Sequence, residues 1–118
     1  MTNTILESGP TNVERWTQGL LDGVKRWKGV EQRRAGVGDG LYSKGKLFAE
    51  MNYTMREIRI RVRLPKTHQQ RVIQLGMARA TKEPMAFKAG WVEVNVDSDA
   101  RLQDALTLTR QAYMETQR

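Results

Sequence analysis

The 118 residues contain no cysteine, a single histidine, and few aromatic residues: two Phe, three Tyr and three Trp. Without cysteine there is no disulfide framework, no thiolate metal site and no thiol nucleophile. The lone His68 rules out a histidine-rich metal site. It has no cysteine or serine partner in a recognisable triad arrangement, so a surface histidine is expected. No segment approaches the roughly 18 apolar residues of a membrane span. The start, Met1 to Pro10, lacks both a basic stretch and a long apolar run, so no signal peptide is expected. These absences favour a soluble, cytoplasmic protein with a loose leader over residues 1–10 and one domain over residues 11–118. A chain of this length buries somewhat under 70% of its unfolded surface, enough for a core without covalent staples.

Negative charge is also scarce. Thirteen Asp and Glu stand against twenty Lys and Arg, a net charge of +7. The excess is concentrated in the middle. Residues 25–88 hold 16 Lys and Arg against Glu31, Asp39, Glu50, Glu57 and Glu83, a balance of +11, and the flanking segments 1–24 and 89–118 carry −2 each. A basic middle between acidic ends points to a charged face rather than a basic tail, and such a face suits a polyanion.

Hydrophobic periodicity gives the elements. Val13, Trp16, Leu20, Val24 and Trp27 recur at helical spacing behind the capping-box pattern Thr11-Asn12-Val13-Glu14. Both tryptophans on that stripe are expected in the core. Gly19 and Gly23 weaken the helix by about 1 kcal/mol each, and their spacing suits close approach to a sheet. Gly29 ends it. Val30 to Ala35 reads as a strand, Gly36-Val37-Gly38-Asp39-Gly40 as a turn, and Leu41–Ser43 with Leu47–Tyr53 as a hairpin around Lys44-Gly45. A strand over Glu57–Leu64 stops at Pro65, and Lys66 to Leu75 reads as a short helix with Thr67 as its N-cap. Met77 to Ala89 lacks periodicity and reads as a basic loop. Gly90 to Val96 alternates as a strand. A last helix follows, capped by Asp97, Ser98 or Asp99, with Leu102, Ala105, Leu106, Thr109 and Tyr113 as its stripe. Tyr113 is expected to bury its ring and leave its hydroxyl in water. The predicted fold class is α+β: a two-layer sandwich in the order α-β-β-β-β-α-β-α, with an antiparallel sheet of about five strands and helices on one face.

Within that sheet, Ile58-Arg59-Ile60-Arg61-Val62-Arg63-Leu64 alternates strictly. Successive strand side chains point to opposite faces, so the three arginines share one face at a spacing of about 6.6 Å. Arg59, Arg61, Arg63, Trp91, Glu93 and Asn95 are expected on the wet face, with Ile58, Ile60, Val62, Leu64, Val92, Val94 and Val96 toward the helices. Spaced guanidinium groups can grip phosphates, and an outward Trp91 can stack a base. The same arginines can instead pair with Glu50, Glu57 or Glu93 across strands with no ligand. The glycine turn is not read as a phosphate cradle, because a strand and not a helix follows it. Glu50, Glu57 and Glu93 are acid–base candidates only if the fold brings two within reach of a substrate.

Taken in order, several short motifs resemble a small family of bacterial domains catalogued as "luciferase-like domain". They are Trp27-Lys28-Gly29-Val30 after the first helix, the hairpin centred on Gly45, Leu64-Pro65 leading into the short helix, Arg79-Ala80, Gly90-Trp91-Val92, and a last helix closing on Ala112-Tyr113. The resemblance spans roughly Val13 to Met114. The outline is also similar to the MmcQ/YjbR-like domains, which pair a late Trp-Val strand with a Tyr-bearing final helix. That likeness implies an α+β fold, and it brings the DNA binding suspected of that group. No flavin or luciferin site is visible, so the family label implies no light production. Where those relatives are histidine-rich, this chain has Glu50 and Asn52, then Glu83, Pro84 and Met85, so no histidine-dependent activity carries over.

The functional expectation is a non-enzymatic binding domain without cofactor or metal. It would contact nucleic acid or another anionic ligand through Arg59, Arg61, Arg63, Arg79, Lys82, Lys88 and Trp91. The alternatives are an interaction or structural domain, meeting an acidic protein or a second copy of itself, and, in third place, a small-ligand enzyme. The enzyme would be favoured by Glu50 or Glu93 buried at the base of a cleft.

Overall fold

The computed structural model describes residues 12–35 and 38–118. The expected leader, the Thr11 cap and the Gly36-Val37 part of the glycine turn lie outside the described residues. Helix α1 (Asn12–Lys25) leads into a meander of β1 (Val30–Ala35), β2 (Gly38–Ser43), β3 (Lys46–Tyr53) and β4 (Ile58–Arg63). Then come α2 (Lys66–Gln74), the short β5 (Arg79–Ala80), the short α3 (Pro84–Lys88), β6 (Trp91–Val96) and α4 (Asp99–Glu115). The strands form one six-stranded antiparallel sheet in the order β1-β2-β3-β4-β6-β5. The α+β class is as expected. The extra strand and extra helix both lie in the segment expected to be a loop. A two-residue strand and a five-residue helix are too short to show a period in the sequence.

The core lies between the sheet and the two long helices. Ile58, Ile60 and Val62 of β4 stand opposite Val96, Val94 and Val92 of β6, and all six are at most 2% exposed. Trp16, Leu20 and Val24 of α1 and Ala105, Leu108, Thr109, Ala112 and Tyr113 of α4 cover them. The Trp16 indole donates to Asp99 Oδ1 at 2.9 Å, tying the start of α1 to the start of α4. Ser98 caps α4 by accepting from the Arg101 amide, one of the three expected caps. In α2 the N-cap position belongs to Pro65, with no side-chain cap, so Thr67 does not serve as the expected cap.

Two expectations about packing change. Gly19 and Gly23 face α4, not the sheet: a Cβ on Gly23 would lie 2.8 Å from Leu106 Cδ2, and one on Gly19 3.3 Å from Leu102 Cδ2. The glycine pair therefore lets two helices approach. The Tyr113 hydroxyl is not left to water; it donates to the Lys28 carbonyl at 2.6 Å. Its ring, between Trp27 at 5.2 Å and Phe48 at 5.8 Å, is buried with the hydroxyl attached, and burial requires a partner for that group.

The hairpin at Lys44-Gly45 has positive φ at both residues, 54° and 76°, the two-residue turn whose twist matches the flanking strands. Beyond it the register slips. Tyr42 faces Leu47, but Leu41 faces Ala49, so Phe48 is an inserted residue, a β-bulge. Phe48 and Ala49 are consequently both buried. Among the described residues no helix is long and apolar enough to cross a membrane.

Candidate anion-binding face

The far side of the sheet carries the arginines as expected. The pleat of β4 sets Arg59 opposite Asn95, Arg61 opposite Glu93 and Arg63 opposite Trp91 on β6. On the other flank β3 places Asn52 opposite Arg59 and Glu50 opposite Arg61. The face is not uniformly wet, however. Glu93, expected in solvent, is only 5% exposed, because guanidinium groups roof it over. Arg61 Nε donates to its Oε1 at 3.3 Å, and Arg79 donates twice to Oε2, from Nη2 at 2.6 Å and Nε at 3.0 Å. Arg59 Nε stands 3.8 Å from Oε2. Glu83, at the N-cap of α3, takes the outer nitrogen Arg61 Nη1 at 2.7 Å.

Short β5 builds this cluster. Pairing Arg79 with Glu93 across β5 and β6 brings a third guanidinium to a carboxylate already opposite Arg61. A buried carboxylate is costly unless paired and hydrogen-bonded, and Glu93 meets both conditions. Of the three acidic partners considered for the arginines, Glu93 is the one that forms ion pairs among the described residues; Glu50 and Glu57 form none there. Arg59, Arg61 and Arg79 still outnumber Glu83 and Glu93.

Glu93 also borders a cavity of about 350 Å³ with Arg79, Asn95, Asp97 and Arg101, which meets the condition set for an enzyme. The geometry argues otherwise, because a general base must reach a substrate proton and both Glu93 oxygens already meet guanidinium donors. Arg59 Nε and Asn95 Oδ1 are buried there without hydrogen-bond partners. His68 is half-buried rather than at the surface, with Nδ1 enclosed and unpaired. On β3, across from Ile58, burial first and then Asp39 hold the Tyr53 hydroxyl above the usual phenol range, and it donates to Asp39 at 2.8 Å.

The remaining expected residues are arranged differently. Arg63 Nε donates to the Ala89 carbonyl at 3.1 Å, and the side chain is exposed. Among the described residues, Arg63, Lys82 and Lys88 form no ion pair. Trp91 is half-buried beside Arg63. Lys82 is exposed between β5 and α3, and no register places it on the sheet. The seven residues therefore divide into a carboxylate-paired cluster (Arg59, Arg61, Arg79), an open end (Arg63, Lys88, Trp91) and Lys82, which belongs to neither. Glu83, which helps close the first group, is missed by the sequence because its reach depends on how the segment before β6 folds back.

Gly90 sets the open end. Its φ is +103°, and a Cβ there would lie 2.5 Å from the Leu64 carbonyl oxygen, while its own carbonyl accepts from Leu64 N at 2.9 Å. Gly90→Ala is expected to cost at least about 2 kcal/mol, read as a lower urea midpoint at unchanged slope. An unchanged midpoint would mean that the β4–β6 corner relaxes freely.

Comparison of the chain with protein-family models, with curated proteins and with solved structures finds no match.

Proposed function

We propose that this is a cytoplasmic, non-enzymatic domain that binds single-stranded nucleic acid along β4 and β6. The observation that carries the proposal is the pairing of an unneutralised Arg63 with Trp91 across those strands, next to unpaired Lys88. A guanidinium holds a phosphate by two parallel hydrogen bonds, and an adjacent indole offers a face to a base. Arg59, Arg61 and Arg79, in excess over their two carboxylates, extend the positive potential along the face, and exposed Lys82 adds to it. The likeness to the MmcQ/YjbR-like outline, a group suspected of binding DNA, supports the same reading.

Affinity for a single-stranded oligonucleotide should fall linearly in log–log form with salt. Three neutralised phosphates correspond to a slope of about −2. Arg63→Ala should flatten that slope, and Trp91→Ala should weaken binding about tenfold with the slope unchanged. Absence of binding to any nucleic acid at low salt, by fluorescence anisotropy, would sink the proposal.

A further inference from the structure

Past the end of β4 lies a cavity of about 500 Å³ between the β4–α2 corner, the α3–β6 corner, the start of β3 and the last turns of α4. Four cationic side chains line it: Lys46, Arg63, Lys66 and Lys88. None of the four forms an ion pair among the described residues. The one carboxylate on the wall, Glu115, is taken by Arg118 at 3.1 Å. Four side chains from β3, β4, α2 and α3 thus line one concavity against a single carboxylate that is shared with Arg118, an arrangement that like-charge repulsion disfavours.

The walls are built rather than incidental. Gln69, 3% exposed, donates through Nε2 to the carbonyls of Phe87 and Trp91, locking α2 to the α3–β6 corner. Arg63 is steadied by Ala89 O through Nε, which leaves its two terminal nitrogens for a ligand. Phe48, Leu64 and Ala112 supply a buried apolar floor. Helix α2 begins at this cavity with no side-chain cap and no acidic residue in its first turn. Its first in-helix amide bond is Gln69 N to Pro65 O, so the positive end of its dipole adds to the lysines.

We infer that this cavity is a site for a phosphomonoester dianion, carried on the end of a nucleic-acid strand laid along the arginine face or on a free nucleotide. A terminal phosphate brings close to two negative charges and three acceptor oxygens. A phosphate within a strand brings only one charge, a poorer match for four cationic side chains. The volume suits a nucleotide-sized group. The strand-end form rests on the proposed function; the phosphate site itself does not.

Three oligonucleotides of one sequence, with a 5′-phosphate, a 3′-phosphate or hydroxyls at both ends, separate these outcomes in anisotropy titrations. One phosphorylated form should bind about tenfold tighter than the hydroxyl form. The double variant Lys46→Gln/Lys66→Gln should erase that preference without lowering the melting temperature. A nucleoside monophosphate alone, followed by amide chemical shifts, should move Lys66, Gln69 and Gly90 in the native protein and not in the variant. Binding of the nucleotide without binding of any oligonucleotide would sustain the cavity and sink the nucleic-acid reading. Equal affinity for all three oligonucleotides, with no nucleotide-induced shifts, would overturn the cavity and leave the sheet face standing.

Discussion

Glu93→Gln should lower the unfolding free energy by about 3 kcal/mol, the lower end of what removing one partner from a buried ion cluster costs. The lower end applies because Arg59 and Arg79 keep 40% and 53% of their side chains exposed, so water recovers part of their solvation. Arg61, at 22%, recovers less. Glutamine keeps the shape but presents an NH₂ where guanidinium donors converge, which adds a clash of donors to the lost charge. For a domain of this size the melting temperature should drop by roughly 10 °C. The same variant leaves Arg59 and Arg79 uncompensated on the sheet face and Arg61 with Glu83 alone, so oligonucleotide affinity should rise as stability falls. Unchanged stability would mean that solvent already satisfies the arginines and that Glu93 only fills space.

Phe48→Ala should cost about 4 kcal/mol, near the usual price of removing a buried Phe ring and a large part of the 5–15 kcal/mol that a domain holds. The ring is 1% exposed and sits edge-on to Tyr113 at 5.8 Å, so a cavity would open beside the hydroxyl anchored to Lys28. Its neighbour provides the control. Strict alternation along β3, counted back from Met51 and Ala49, would bury Leu47 and turn Phe48 toward the arginines. The bulge reverses this: Leu47 is half-buried and Phe48 is enclosed. Leu47→Ala should therefore cost about 1 kcal/mol, a half-buried side chain's share of the transfer free energy. Urea unfolding of both variants reads the difference. A larger loss for Leu47→Ala would mean that no bulge exists.

The bulge shows where sequence reasoning stops. The periodicity of β4 and β6 was legible because each residue's face follows from its neighbours, and the structure places all of Ile58, Ile60, Val62, Val92, Val94 and Val96 in the core. Phe48 and Ala49 break the pattern by one residue, and nothing local in Lys46–Tyr53 announces it. Glu83 and Arg79 were equally illegible, the first as a partner of Arg61 and the second as a partner of Glu93. Their segment is aperiodic, and their positions follow from Arg79 pairing with Glu93 and from Glu83 reaching Arg61. The cavity beyond β4 could not be foreseen either, since Lys46, Arg63, Lys66 and Lys88 come from four elements with no common period.

What the sequence determined alone is the α+β class, the Lys44-Gly45 hairpin, the two faces of β4 and β6, and the excess of positive charge along residues 25–88. Each follows from short-range constraints: side-chain alternation, turn stereochemistry and composition. Tertiary structure decided how that charge is divided. It buried Glu93 beneath Arg59, Arg61 and Arg79, and it left Arg63 unpaired beside Trp91 with three lysines around one cavity. The physical reason is that charge pairing depends on distances across strands and corners, and chain order does not specify those until the fold has formed.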